Sequence, residues 1–296
     1  MWVNLLHAVP GRFNIADLPT SPPETPGQPF GASDDYFTTK FFSSAVTAVD
    51  YESGVKPTAL SQHHPLAAPE TINLSIVERY IPPSSINEFA NLFSTRGPSL
   101  LVDRLVELAP NNGCLVFIYP TLQGAQTFAN NYLGPVLDPL LRTICVINGY
   151  SADLSEAVGR MPALPHLLSF DVMRRRALAL CMELNGGAAH VRKRLRQAED
   201  APPAGSFTLV HAARHAVVLE RKIWVDWWVK QEKTRIRNEV GQYFAKARKY
   251  KEGDVAEKMP IQVVREVLEG VEKRQVEELQ EAAMGIEVGV FVVRRD

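Results

Sequence analysis

The residues that could do chemistry are few and scattered. His63 and His64 are adjacent beside Pro65, so their side chains diverge, and no Cys or carboxylate cluster accompanies them as a metal site would need. His211 and His215 are four apart, a spacing that joins two ligands on a helix but not across a turn. No Ser sits in G-x-S-x-G, which excludes a hydrolase elbow. Asp153 and Glu156 follow an apolar run and suit the first turn of a helix, where carboxylates favour the positive dipole end. No metal site is expected.

The most legible site signal is the end of "GCLVFIYPT", Gly113 to Thr121. A glycine turn, a β-branched and aromatic run and a closing proline read as a strand buried on both faces. In a parallel sheet the residues past such a strand border a ligand crevice, which makes Tyr119, Pro120 and Thr121 candidates. "INLSIVERYI", stopped by Pro82 and Pro83, is a second strand, and it brings Glu78 to the same edge.

A second kind of signal is a surface one. "KIWVDWWVKQEKTRIRNEVGQYFAKARKYK" is a long helix whose Val229, Ile236, Val240 and Tyr243 share a face. Trp224, Trp227 and Trp228 do not fit one face together, so at least one indole is expected at a contact surface. Lys230, Lys233, Arg235 and Arg237 make the helix locally basic. Arg174, Arg175 and Arg176 form a second basic cluster, continued by Arg192, Lys193, Arg194 and Arg196. These helices define an expected surface for a protein partner, with nucleic-acid contact through the cations. The whole chain gives no such bias, since its formal net charge is −1.

The elements that must position these residues occupy the later part of the chain. Residues 1–70 read as a Pro-rich arm, with short strands in "WVNLLHAV" and "AVTAVDY". Residues 71–296 read as a regular α/β core, the two parts making one domain. Ser84 or Ser85 caps a short helix through Phe93, and Glu88 lies three residues after Ser85 as in a capping box. "PSLLVDRLVELA" is an amphipathic helix and "QGAQTFANNYLGPVLDPLLR" a helix bent or broken around Gly134-Pro135 and Pro139. "TICVING" reads as a third strand and "SFTLVHAARHAVVLE" as a hairpin turning near Ala213-Arg214. A helix from Pro260 to about Ala283 precedes a terminal strand, "GIEVGVFVVRR". Alternating strands and helices predict a three-layer α/β sandwich on a mostly parallel sheet, with antiparallel strands at the C-terminal edge.

The three cysteines lie apart in apolar surroundings, as buried thiols do in a reducing compartment, which points to cytoplasm or nucleus. No stretch reaches the length of a membrane span, so no membrane partner is expected.

"RLVELAPNNGCLVFIYPT" and "GVFVVRR" resemble the later half of a class I S-adenosylmethionine-dependent methyltransferase, a Rossmann-like fold. "AVTAVDYES" resembles that family's second strand, whose terminal acidic residue grips the ribose; the resemblance makes Asp50 that residue. A cofactor site would then hold Asp50, Glu78, Tyr119, Pro120 and Thr121. The family's Gly-rich cofactor loop has no counterpart before Asp50, where "PGQPFGASD" stands instead. The resemblance therefore implies a catalytically degenerate, methyltransferase-like scaffold that needs no cofactor. The alternative is an active enzyme that binds S-adenosylmethionine at an unorthodox site. "LLVDRLVELAPNNGCLVFIYPTLQGAQTFANNYL" is also similar to a helicase second lobe, which implies an assembly module, although no phosphate-binding loop is present.

Overall fold

The computed structural model describes residues 2–9, 40–47, 66–195, 205–250, 259–274 and 285–296. Two N-terminal strands, β1 (Trp2–Val9) and β2 (Lys40–Thr47), pair in parallel as a separate sheet. The rest begins with β3 (Leu74–Glu78), a short helix α1 (Ile86–Ala90), α2 (Leu100–Glu107) and β4 (Gly113–Pro120). Ser99 caps α2 by accepting from the Val102 N–H, and Asn111 and Asn112 take positive φ in the turn into β4.

The next helix, α3 (Leu122–Thr127), runs through a π-helical turn at Phe128–Leu133 into α4 (Gly134–Asn148). The helix is thus continuous where the sequence allowed a bend or a break, with the extra residue of a π turn preceding Pro135 and Pro139 inside the helix. After it come α5 (Ala152–Gly159), α6 (Phe170–Asn185) and α7 (Ala189–Arg194). The C-terminal part holds β5 (Phe207–Val217), α8 (Arg221–Tyr250), α9 (Pro260–Lys273) and β6 (Ile286–Arg295).

The main sheet is mixed, in the order β3-β4-β6-β5. Only β3 and β4 are parallel; β6 runs antiparallel to both β4 and β5. The expected mostly parallel sheet is therefore corrected, because two of its expected strands differ. "TICVING" lies within α4: Val136, Leu137, Leu141, Ile144 and Cys145 are buried at helical spacing, while Val146 and Ile147 are 82% and 74% exposed. Its β-branched run imitated a strand, but the apolar period over the longer window is helical, and Gly149 ends it at φ 67°. The expected hairpin is one strand, β5, laddered to β6 along its length with a bulge near Leu209–His211. Ala213-Arg214 lacks the Gly or Asn that a tight hairpin turn requires.

Alternate residues of β4 and β6 enter two apolar clusters. Leu115, Phe117, Tyr119, Phe291 and Val293 join α2, α6 and α7 in one. Ile286 and Val288 join α4, α8 and α9 in the other, where Trp224 and Trp228 are wholly buried. The sheet is pinned to α3 at Gly124, where an added Cβ would lie 1.9 Å from the Glu287 carbonyl oxygen.

Replacing Gly124 by Ala forces the α3 and β6 backbones apart and is expected to destabilise the fold by about 3 kcal/mol or more. Gly241→Ala, in open space on α8, is expected to stabilise it by roughly 0.5–1 kcal/mol through helix propensity. Chemical denaturation of the two variants checks both signs.

Candidate functional site

The carboxyl ends of β3 and β4 meet beneath α1. Tyr119, the penultimate residue of β4, is fully buried and donates its hydroxyl to Glu88 Oε1 at 3.0 Å. Arg79, directly after β3, donates to Glu88 Oε2 at 2.6 Å and to Gln231 Oε1 at 2.5 Å. Gln231, on α8, donates through Nε2 to the Pro82 carbonyl at 2.7 Å and to Glu232 Oε1 at 3.1 Å. Glu232 accepts a short bond from Arg235 Nε, and Arg235 donates on to the carbonyls of Ala157 (3.2 Å) and Val158 (2.9 Å) at the end of α5. One polar chain thus links the ends of two strands to three helices.

This arrangement changes the role expected of Glu88. Ser85 occupies the N-cap position of α1 without a capping bond, and Glu88 turns inward to meet Arg79 and Tyr119. A carboxylate that is 7% exposed requires such partners, since burying it unpaired would be costly. Arg79 and Glu88 went unremarked as a pair because nothing in their spacing announces them. The "ERYIPP" turn that carries Arg79 was the one usable signal.

Of the expected site residues, the structure brings Tyr119, Pro120 and Thr121 to this edge, all buried. Thr121 is engaged as well. Its hydroxyl donates to Glu287 Oε1 at 2.7 Å and accepts from the Gly124 N–H at 3.1 Å, capping α3. Glu78 points away: its side chain is exposed and accepts from the Tyr80 hydroxyl at 3.2 Å. Burial, reinforced by Glu78, raises the Tyr80 hydroxyl above its usual range. Asp50, His63 and His64 lie outside the described residues. Glu78 is therefore not joined to the strand-end group, because strand alternation sends it outward while Arg79 turns in.

The expected contact surface divides. Trp224 and Trp228, four residues apart, are core residues, so their assignment to the surface is corrected. Trp227 lies between them in sequence, is 37% exposed, and stacks on Tyr80 with centroids 5.8 Å apart. With Val218 and Ile223 it lines a groove of about 1220 Å³ at the start of α8. Arg235 is also withdrawn from the surface by the polar chain described above. Lys230 is exposed and paired with Asp226 at 2.8 Å; Lys233 and Arg237 are exposed, as are Arg174, Arg175 and Arg176 on α6. The second basic cluster loses Arg194, which is buried against Asp103 (2.9 Å) and the carbonyls of Thr95 and Gly97.

A second polar cluster was not foreseen. Thr95 donates a short bond to Glu183 Oε1, and His190 Nε2 lies 3.1 Å from the Thr95 hydroxyl and 3.2 Å from Glu183 Oε1. Hydroxyl, imidazole and carboxylate make a triangle rather than a relay. The carboxylate accepts the hydroxyl's hydrogen bond and approaches the same ring nitrogen, so it does not orient a base behind the hydroxyl. The Thr95 bond, followed by His190, holds the Glu183 carboxyl below its usual range. His211 and His215 share one face of β5 but stand about 13 Å apart along the strand, too far for one metal. No metal-binding group of His, Cys, Asp and Glu occurs among the described residues, and no described helix is long and apolar enough to cross a membrane. All three cysteines are free; burial pushes the Cys181 thiol up to about 11 and raises that of Cys145.

No family model matches this chain, and no curated protein matches it.

Glu88→Gln removes the charge that Arg79 faces and is expected to cost about 3 kcal/mol, the low end for a broken buried pair because Arg79 keeps some solvent. Tyr119→Phe is expected to cost about 1 kcal/mol, and the double variant less than the sum, in urea denaturation. Glu183 has a folded pKa lowered from 4.5, so its contribution is present above that value and fades as pH falls toward the lower folded value. The stability gap between wild type and Glu183→Gln is accordingly expected at neutral pH and to close in acid. A gap that widens in acid contradicts the assigned pairing.

Proposed function

We propose that the chain is a methyltransferase-like α/β domain, with helices in a layer on each face of the sheet, that works as a protein-interaction module rather than as an enzyme. The observation that carries this reading is the filled carboxyl edge of the parallel pair. A nucleoside cofactor held there would need Tyr119 and Thr121 free to turn toward it. Tyr119 is committed to Glu88, and Thr121 caps α3 while bonded to Glu287. Loosening either leaves a buried polar group unpaired. The missing glycine loop before Asp50 argues the same way from the other side of such a site.

The surface supports the second half of the reading. Tyr80 and Trp227 present a stacked aromatic pair beside a groove, the kind of rigid amphipathic anchor that interfaces favour. Exposed arginines on α6 and cations on α8 add a secondary surface for nucleic acid, whose binding would weaken steeply with salt.

Titration calorimetry with S-adenosylmethionine and S-adenosylhomocysteine tests the reading directly. No heat is expected at millimolar ligand. Micromolar binding of either overturns it in favour of an active methyltransferase.

A further inference from the structure

The edge of the sheet at β5 is built differently from its other edge. β3 is five residues long; β5 has eleven, Phe207–Val217, and only β6 pairs with it among the described residues. The direction of its backbone groups follows from printed bonds on β6. Arg295 and Glu287 accept from Asn112 and Thr121 on the β4 side, at 2.9 and 3.1 Å. Ser206 and Asp296 exchange both of their backbone bonds at 2.9 Å. Even-numbered β6 residues therefore face β5, and their partners His211, Ala213 and His215 point inward. Ala212, Arg214 and Ala216 point their N–H and C=O outward, with no bonding partner among the described residues.

The first outward rung is already taken. The Asn185 side chain accepts from the Phe207 N–H at 2.8 Å and donates to the Phe207 carbonyl at 3.0 Å, as a neighbouring strand would. The next outward rung, at Leu209, faces the Cys181 thiol with its N–H, and the rungs at Ala212, Arg214 and Ala216 stay open beyond it. The strand carries no Asp or Glu, whereas His211, Arg214 and His215 are all exposed along it. Arg214 is braced over the Phe170 ring at 5.4 Å, at the start of α6, and α6 packs on β5 with Arg174, Arg175 and Arg176 exposed.

The geometry points to β5 as a strand-addition site for an extended, acidic segment of a protein partner. Main-chain bonds to Ala212, Arg214 and Ala216 supply the attachment, and carboxylates on alternate residues of the incoming strand, which share one face, meet Arg214 on the α6 side of the sheet. Arg214 also disfavours a second copy, since two β5 edges paired about it oppose like charges. This inference deepens the interaction reading and rests on it for the existence of a partner.

The test uses the full chain and three fluorescein-labelled ten-residue peptides alternating Val with Glu, Lys or Ser. The Val/Glu peptide is expected to bind at least tenfold tighter than the others, to weaken with salt, and to slow amide exchange at Ala212, Arg214 and Ala216. Ala212→Pro and Ala216→Pro remove N–H groups that the β5–β6 ladder does not use, so binding is lost with the fold intact. Arg214→Glu is expected to shift the preference toward the Val/Lys peptide. Should either proline unfold the chain, the exchange pattern of the wild type decides alone. Equal binding of all three peptides overturns the proposal. So does protection confined to α6, which would make its arginines a plain anion site. Self-association through β5 in light scattering, or protection of β5 by a single-stranded oligonucleotide, also overturns it. The calorimetry separates this proposal from the reading beneath it. Adenosylmethionine binding together with peptide addition at β5 removes the degenerate-enzyme reading and leaves the edge site; neither ligand binding does the reverse.

Discussion

The main sheet is held together by its last strand. β6 lies between β4 and β5, so neither edge half is joined to the other until the final ten residues are in place. Its alternation sends Ile286 and Val288 into one apolar cluster and Phe291 and Val293 into the other. Gly289 has no side chain for a reason: a Cβ there would lie 2.6 Å from the Phe291 ring, which stacks on Phe170 at 5.6 Å. At the end of β6, Arg295 is 1% exposed, donating to the Leu108 carbonyl at 2.7 Å and to Glu70 at 2.6 Å, with its guanidinium over Phe207. One side chain thereby ties the exit of α2, the approach to β3 and the start of β5. Such pairings are distant in sequence, and loop closure must precede the contacts that reward it.

That dependence explains what the sequence showed and what it hid. β4, β6, α2 and α8 were legible because each carries its own pattern, a β-branched run or an apolar face. α4 was misread at "TICVING" because four β-branched residues outweigh the longer helical period when viewed alone. The direction of the sheet was illegible for another reason. Whether β6 falls beside β4 is decided by pairing across more than a hundred and fifty residues, and no local pattern encodes it. At the site, Tyr119 and Thr121 were visible as strand-end residues. Arg79 was not, since its partner Gln231 lies 152 positions away. Among the tryptophans, the spacing of Trp224 and Trp228 fits one buried stripe and leaves Trp227 outside it, but choosing the buried stripe required knowing which face the sheet covers.

The polar chain from Tyr119 to Arg235 bears on specificity more than on raw stability. Buried ion pairs seldom surpass apolar packing of the same volume, because desolvation offsets most of the attraction. What Glu88 and Arg79 add is a requirement for direction. Gln231 must present its carbonyl oxygen to Arg79 and its amide to Pro82, and Arg235 must reach two carbonyls at the end of α5. A sliding of α8 by one turn would leave several of these groups buried and unpaired together. An all-apolar contact would tolerate that shift far better, so the network fixes how the long helix is set against the strand ends.

The two kinds of opening in a sheet are treated in opposite ways. Strand ends expose side chains, and here Tyr119 is engaged by Glu88 and Thr121 by Glu287 and the Gly124 N–H. Strand edges expose backbone, which no substitution other than proline can remove. At β5 that backbone is answered at Phe207 by the Asn185 amide and at Leu209 by the Cys181 thiol, and beyond them it is flanked by arginine. A sequence under pressure only to stay soluble could equally have shortened the strand, as β3 is short, or placed charges of both signs along it. Keeping eleven residues extended while excluding every carboxylate preserves a row of donors and acceptors and biases what can approach it. That is why we infer a capacity for recognition from the main chain of this edge rather than from the strand ends.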